Sequence, residues 1–275
     1  MQNTLKFFAL GILFFHACST QENKSPYAHV EPIKAHSHND YQQETPLYSA
    51  LENGFASIEV DIHLRDGKLC VAHDSADVDT SKTLQSLYLQ PLTNLFHNLP
   101  GSVFANNQPV LLLIDIKTDA DSTYFQLLHD VQKYHTLFYR SEENKSIFGP
   151  FRAIISGNRS KTILEEQPSR IAGYDGRITD LTADISPECM PLLSDRWSTH
   201  FTWRGQGALP GTEKEKLHEI VSRAHSAGRL VRFWDTDVGD TERQHAIWKE
   251  LQTAGVDLIN TDKQNELREF LLNLH

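Results

Sequence analysis

Cysteine is scarce in this 275-residue chain: there are three, Cys18, Cys70 and Cys189. That count rules out a metal site built from cysteine. Cys70 falls in an apolar, strand-like run and Cys189 in an expected loop far along the chain, so two separate structural thiols are expected rather than a disulfide. A basic block or Arg-rich helix is also missing. Lys plus Arg number 26 against 36 Asp plus Glu, a formal net charge of −10. Nucleic acid is therefore not an expected partner, and charge alone would not dock the chain on anionic lipid. No internal repeat and no low-complexity segment is visible.

The apolar run at 7–15 (FFALGILFF), preceded by Lys6, is shorter than the ~20 residues that cross a bilayer. It suits the core of a secretory signal. Ala17 before Cys18 resembles a bacterial lipobox, which would make Cys18 a lipidated N-terminus and a membrane tether; plain secretion is the alternative. The expected location is outside the cytoplasm, as a periplasmic or outer-surface lipoprotein or a secreted protein. Residues 1–18 are the expected signal, 19–32 a polar linker carrying Pro26, and 33–275 one domain.

Within 33–275, strand-like runs alternate with helical patterns, which argues for α/β architecture. The expected strands are 33–36, 57–64, 69–73, 110–116, 153–156, 171–174, 190–193, 230–234 and 258–260. Expected helices cover 46–53 before Gly54, 124–134 with Phe125, Leu128 and Val131 facing the core, 212–227 before Gly228, and 242–254 before Gly255. The length and the rhythm "helix, Gly, short apolar strand, polar loop" suit a (β/α)8 barrel of the TIM type, which takes ~250 residues.

The polar residues inside these runs carry the chemistry. Glu59 and Asp61 are two apart in SIEVDIHL, so their side chains share a face. Two carboxylates buried together at a strand end are costly unless a positive charge lies between them. A hard divalent cation, Ca²⁺ or Mg²⁺, satisfies such oxygen ligands. Asp115 closes an apolar run and offers a third oxygen; Lys117 shares its face and is placed to meet an anion. His36 and His38 share a face at the end of the first run, and His73 ends another, beside Asp74. Histidines that titrate near neutrality suit proton transfer. All of these lie at the C-terminal ends of expected strands, where TIM-barrel active sites sit.

In their order, Ala35-His36, Glu59-Val60-Asp61, His73-Asp74, Leu113-Ile114-Asp115-Ile116-Lys117, Phe233-Trp234 and VDLINTD at 256–262 resemble the superfamily of glycerophosphodiester phosphodiesterases and phosphatidylinositol-specific phospholipases C. His36-Ser37-His38-Asn39-Asp40-Tyr41, Ser156-Gly157-Asn158-Arg159 and Arg232-Phe233-Trp234 are similar to a branch that includes proteins of the altered-inheritance-of-mitochondria type. The resemblance implies a metal-dependent phosphodiesterase with one divalent cation held by Glu59, Asp61 and Asp115. It also implies two histidines as general acid and base, one of them His73. Alignment on Ala-His favours His36 as the other. The His38-Asn39 pair, similar to the His-Asn of the phospholipase C branch, where Asn contacts the metal, favours His38 and adds Asn39 to the expected ligands. Lys117 and Arg159 are expected phosphate contacts, and Trp234 is expected at the barrel mouth beside substrate. The expected partner is a small phosphodiester or phospholipid head group.

Two other classes fit part of the pattern. His36-Ser37-His38 is also similar to the first strand of zinc amidohydrolases, with Asp262 as a last-strand ligand. An exported lipoprotein using the barrel only as a binding module would need no such set of His, Glu and Asp.

Overall fold

Strand β2 (Phe55–Arg65, FASIEVDIHLR) shows how the sequence divides the molecule into lumen and shell. Alternation sends Ile58, Val60 and Ile62 into the main hydrophobic core, while Ser57, Glu59 and Asp61 take the other face. Parallel pairing with β4 (Val110–Ile116) puts Ser57 beside Leu111, Glu59 beside Leu113 and Asp61 beside Asp115. These residues therefore point into one shared space.

That space is the inside of a closed barrel. The computed structural model describes residues 24–96, 101–142 and 145–274. Around the barrel run β1 (Ile33–Ser37), β2, β4, β7 (Phe151–Gly157), β8 (Ala172–Gly176), β9 (Leu192–Arg196), β10 (Leu230–Trp234) and β11 (Leu258–Thr261). Each is parallel to its neighbour, and β11 pairs with β1 to close the ring. Among the described residues, α1 (Tyr48–Glu52), α2 (Gln90–Phe96), α3 (Ala120–Val131), α4 (Lys161–Glu166), α5 (Trp197–His200), α6 (Gly211–Ser226), α7 (Thr241–Ala254) and α8 (Gln264–Leu272) surround it. The chain is a single TIM-type (β/α)8 barrel. The lumen is layered: Leu111, Leu113, Ile154, Leu192 and Leu258 form an apolar floor, with buried polar side chains above it and charged ones at the rim.

Several expectations need correction. The expected strand at 69–73 forms, but outside the ring of barrel strands. Asp66 and Gly67, both with positive φ (48° and 73°), make a two-residue turn of the Asp-Gly kind. The chain then returns as β3 (Lys68–Val71), antiparallel to β2. His73 reaches the rim from this excursion. Helix α3 begins earlier than expected because Asp119 caps it, accepting from the Ser122 N–H at 3.0 Å. Its buried face is Thr123, Tyr124, Leu127 and Val131, so Phe125 lies on the outer face and is 57% exposed. Beyond α3, β5 (Arg140–Glu142) and β6 (Lys145–Ile147) form a small separate sheet.

Helices α6 and α7 bury apolar stripes, Leu217, Ile220, Val221 and Ala224 in one, Ile247 and Leu251 in the other. Cys70 and Cys189 are free and buried. Part of the expected linker packs: Tyr27 is buried, 6.3 Å ring to ring from Phe96. Residues 1–18, including Cys18, lie outside the described residues. No described helix is long and apolar enough to cross a membrane.

Candidate active site

Mid-lumen, three strands meet on one carboxylate. His36 of β1 places Nε2 2.6 Å from Glu59 Oε2, and Arg232 of β10 donates from Nη2 to the same oxygen at 2.7 Å. Arg232 also donates to Asn260 Oδ1 from Nε and Nη2, and Ser57 Oγ is 2.8 Å from His36 Nδ1. Burial works to raise the Glu59 pKa, but Arg232 and the His36 hydrogen bond outweigh it and hold the carboxyl well below its usual range. Burial, and then Arg232, push His36 down to about 3, so it is neutral at physiological pH. His36 is also wholly enclosed, at 0% exposure.

At the rim, Asp61 is the centre of a second group. Its Oδ2 accepts from Tyr41 O–H at 2.8 Å, His73 Nδ1 at 3.0 Å and Lys117 Nζ at 3.1 Å. Lys117 bridges to Asp115 Oδ1, also at 3.1 Å. Asp61 Oδ1, by contrast, is buried with no partner. One carboxylate oxygen each from Glu59, Asp61 and Asp115 lie within 4.8 Å of one another. Burial, and then the Asp61 and Glu59 charges working against Lys117, push Asp115 up to about 6. Three acidic groups against Arg232 and Lys117 leave one negative charge uncompensated. An orphaned carboxylate oxygen and a carboxyl strained toward its neutral form are what a cation between them would relieve. The donor set is all oxygen, which suits a hard divalent ion rather than the zinc alternative.

The other first-strand histidine stands at the mouth. His38 Nδ1 is 2.8 Å from Asp262 Oδ1 and 3.1 Å from Asn39 Nδ2, and its side chain is 27% exposed. Asn39, in a left-handed backbone at φ 46°, places Oδ1 2.9 Å from the same Tyr41 hydroxyl oxygen. Tyr41 thus joins Asn39 to Asp61, and through Asp61 to His73.

A model of the AIM6-like phosphodiesterase domain matches residues 24–175, more than half of the chain. The chain belongs to that family. An altered inheritance of mitochondria protein 6 homolog from Arthroderma benhamiae is 28% identical over 270 residues, 88% of this chain and 84% of that protein. The altered inheritance of mitochondria protein 6 of Lachancea thermotolerans is 25% identical, over 85% of this chain and 64% of that protein's length. A solved glycerophosphodiester phosphodiesterase from Agrobacterium tumefaciens is 12% identical with a TM-score of 0.46, covering 87% of this chain and 98% of its own. The branch read from the sequence stands. The expected location does not. The relatives are fungal proteins named for mitochondrial inheritance, which counts against an exported bacterial lipoprotein.

The remaining expected residues lie around this AIM6-like site. Trp234 ends β10, and the Arg196 guanidinium lies 5.3 Å from its ring centroid, with Arg196 Nε donating to Asp235 at 3.2 Å. Arg159 follows β7 and joins neither group. Two further elements were not anticipated. Arg232 carries the countercharge to Glu59, and its signal is a cation in the middle of the apolar strand LVRFW. Asp40 holds the loop after β1 in place. Its oxygens accept from Ser37 O–H at 2.8 Å, Leu47 N–H at 2.6 Å and Tyr88 O–H at 2.9 Å. That grip steadies Leu47 at φ 69°, ψ −56°, a tight turn closed by Tyr48 N–H to Pro46 O and strained for any residue with a side chain.

Proposed function

We propose that this chain is a metal-dependent phosphoric diester hydrolase acting on a small phosphodiester or phospholipid head group. The observation that carries the reading is the convergence of Glu59, Asp61 and Asp115 within 4.8 Å, with Asp61 Oδ1 buried and unpartnered. These three residues would hold one divalent cation, Ca²⁺ or Mg²⁺. When bound, it would polarise the phosphoryl group and lower the cost of charge on the attacking oxygen.

His38 and His73 are the acid–base pair in this reading. Both are open to the mouth, where His36 is not. Each has Nδ1 against a carboxylate, Asp262 for His38 and Asp61 for His73; a carboxylate only accepts, so in this reading Nδ1 carries the proton and Nε2 is left to exchange one. One takes the proton of the attacking hydroxyl, from water or from a neighbouring hydroxyl of the substrate; the other gives one to the leaving oxygen. His36, fully buried on Glu59, positions that carboxylate.

The test is hydrolysis of a panel of phosphodiesters with Ca²⁺ or Mg²⁺ and again with chelator. Turnover that vanishes with chelator and in both His38→Ala and His73→Ala is the expected result. Full activity in His38→Ala together with loss in His36→Gln would move the second role to His36. Chelator-resistant turnover would remove the cation from the reading.

A further inference from the structure

Next to the acidic cluster lies a surface cavity of about 760 Å³, walled in part by Lys117, Asp119, Gly157, Asn158, Arg159 and Lys161. Lys117 belongs to both places, since its Nζ bridges Asp61 and Asp115. Gly157 does as well: a Cβ there would fall 2.2 Å from Asp115 Oδ1. One side chain and one strand end separate the cavity from the cluster.

Three cations line this wall against one carboxylate. Asp119 is committed to capping α3, accepting from Ser122 N–H and O–H. Lys117 is held by its two aspartates, and Lys161 pairs with Asp180 at 3.2 Å. Arg159 is different. Its Nε and Nη1 are buried with no acceptor, although a buried charged donor left unpaired is costly. Neighbouring Arg177 adds repulsion, so burial and then that charge hold the Arg159 pKa below its ordinary value. The carboxylates of Asp175, Asp180 and Asp115 offset this only in part, and none of them pairs with the two buried donors. A guanidinium is suited to donate to two oxygens of a phosphate at once.

We propose that this cavity is a second anion subsite, in which Arg159 binds a phosphate-like group carried by the substrate beside the scissile diester. The anion site stands on its own geometry; the word substrate rests on the diesterase reading above. The substrate class that fits is a phosphodiester with a further phosphate on one of its esterified alcohols.

Two measurements test it. In the first, the full chain in chelator is titrated with inorganic phosphate by calorimetry, so that neither cation nor turnover contributes. Saturable binding should weaken roughly tenfold or more in Arg159→Gln, as for one lost charged hydrogen-bond pair, and recover in part in Arg159→Lys. Equal binding by both the wild type and Arg159→Gln overturns the site, as does no binding by the wild type. In the second, two diesters differing only by an added phosphate are compared by KM. The wild type should favour the doubly charged one, and Arg159→Gln should bring the ratio toward one. An unchanged ratio overturns the substrate class. Phosphate binding through Arg159 with neither diester cleaved would keep the anion site and sink the diesterase reading instead.

Discussion

Arg232 reaches across the lumen from β10 to hold Glu59 on β2, with Nη2 2.7 Å from Oε2 and both side chains at most 5% exposed. A buried pair like this adds little net stability, but removing one partner strands the other charge, at a cost of about 3–5 kcal/mol. Arg232→Met should therefore destabilise the fold by about that amount in urea unfolding. Pairing it with Glu59→Gln should recover part of the loss, since neither charge is then stranded. A single variant as stable as wild type would mean the pair carries no such strain.

Cation binding should be visible without turnover. Ca²⁺ or Mg²⁺ at about 100 times its dissociation constant would stabilise the folded chain by about 2.7 kcal/mol. Thermal melts should rise with added cation, return with chelator, and lose the response in Asp61→Asn. Asp61 is chosen because its Oδ1 has no partner to lose. A cation response that survives in Asp61→Asn would place the ion elsewhere.

Gly157 makes a sharper steric test. It sits at φ 65°, and an added methyl would meet Asp115 Oδ1 at 2.2 Å and Ile116 O at 2.5 Å. Gly157→Ala must therefore shift the end of β7 or displace Asp115. The expected outcome is a folded protein with cation affinity reduced by roughly tenfold or more, about 1.4 kcal/mol. Retained affinity with ordinary melting would show that the rim gives way without moving Asp115.

The sequence made the barrel legible because lumen and shell alternate so cleanly: in β2, Ser57, Glu59 and Asp61 read as one face and Ile58, Val60 and Ile62 as the other. The same logic brought Asp115 and Lys117 into register. It failed where tertiary geometry overrides period. The run at 69–73 has strand composition, yet the Asp66-Gly67 turn folds it back antiparallel. Phe125 has an apolar side chain on the polar face of α3. Neither the enclosure of His36 nor the exposure of His38 could be read from residues two apart, because His36 is set by Ser57 and Glu59 on β2 and His38 by Asp262 just after β11. Asp40 was equally hidden, since its partners Leu47, Tyr88 and Gln264 come from three separate stretches.

Asp237, in the loop after β10, gives a prediction in pH. Burial, and then the neighbouring Asp262 carboxylate, push its carboxyl from the usual 3.8 up to about 6, and its Oδ1 is buried with no partner. Between those two values the folded chain keeps a proton that the unfolded chain has released. Folding therefore takes up a proton there, and stability falls as pH rises through the window. Above about pH 6 the full cost persists. Asn reproduces the neutral form and does not titrate. Asp237→Asn should thus match the wild type near pH 4 and exceed it near pH 7.5 by on the order of 1–2 kcal/mol in urea unfolding. A variant less stable at the higher pH would mean that the ionised carboxylate is held by a favourable partner, with His38 the nearest candidate.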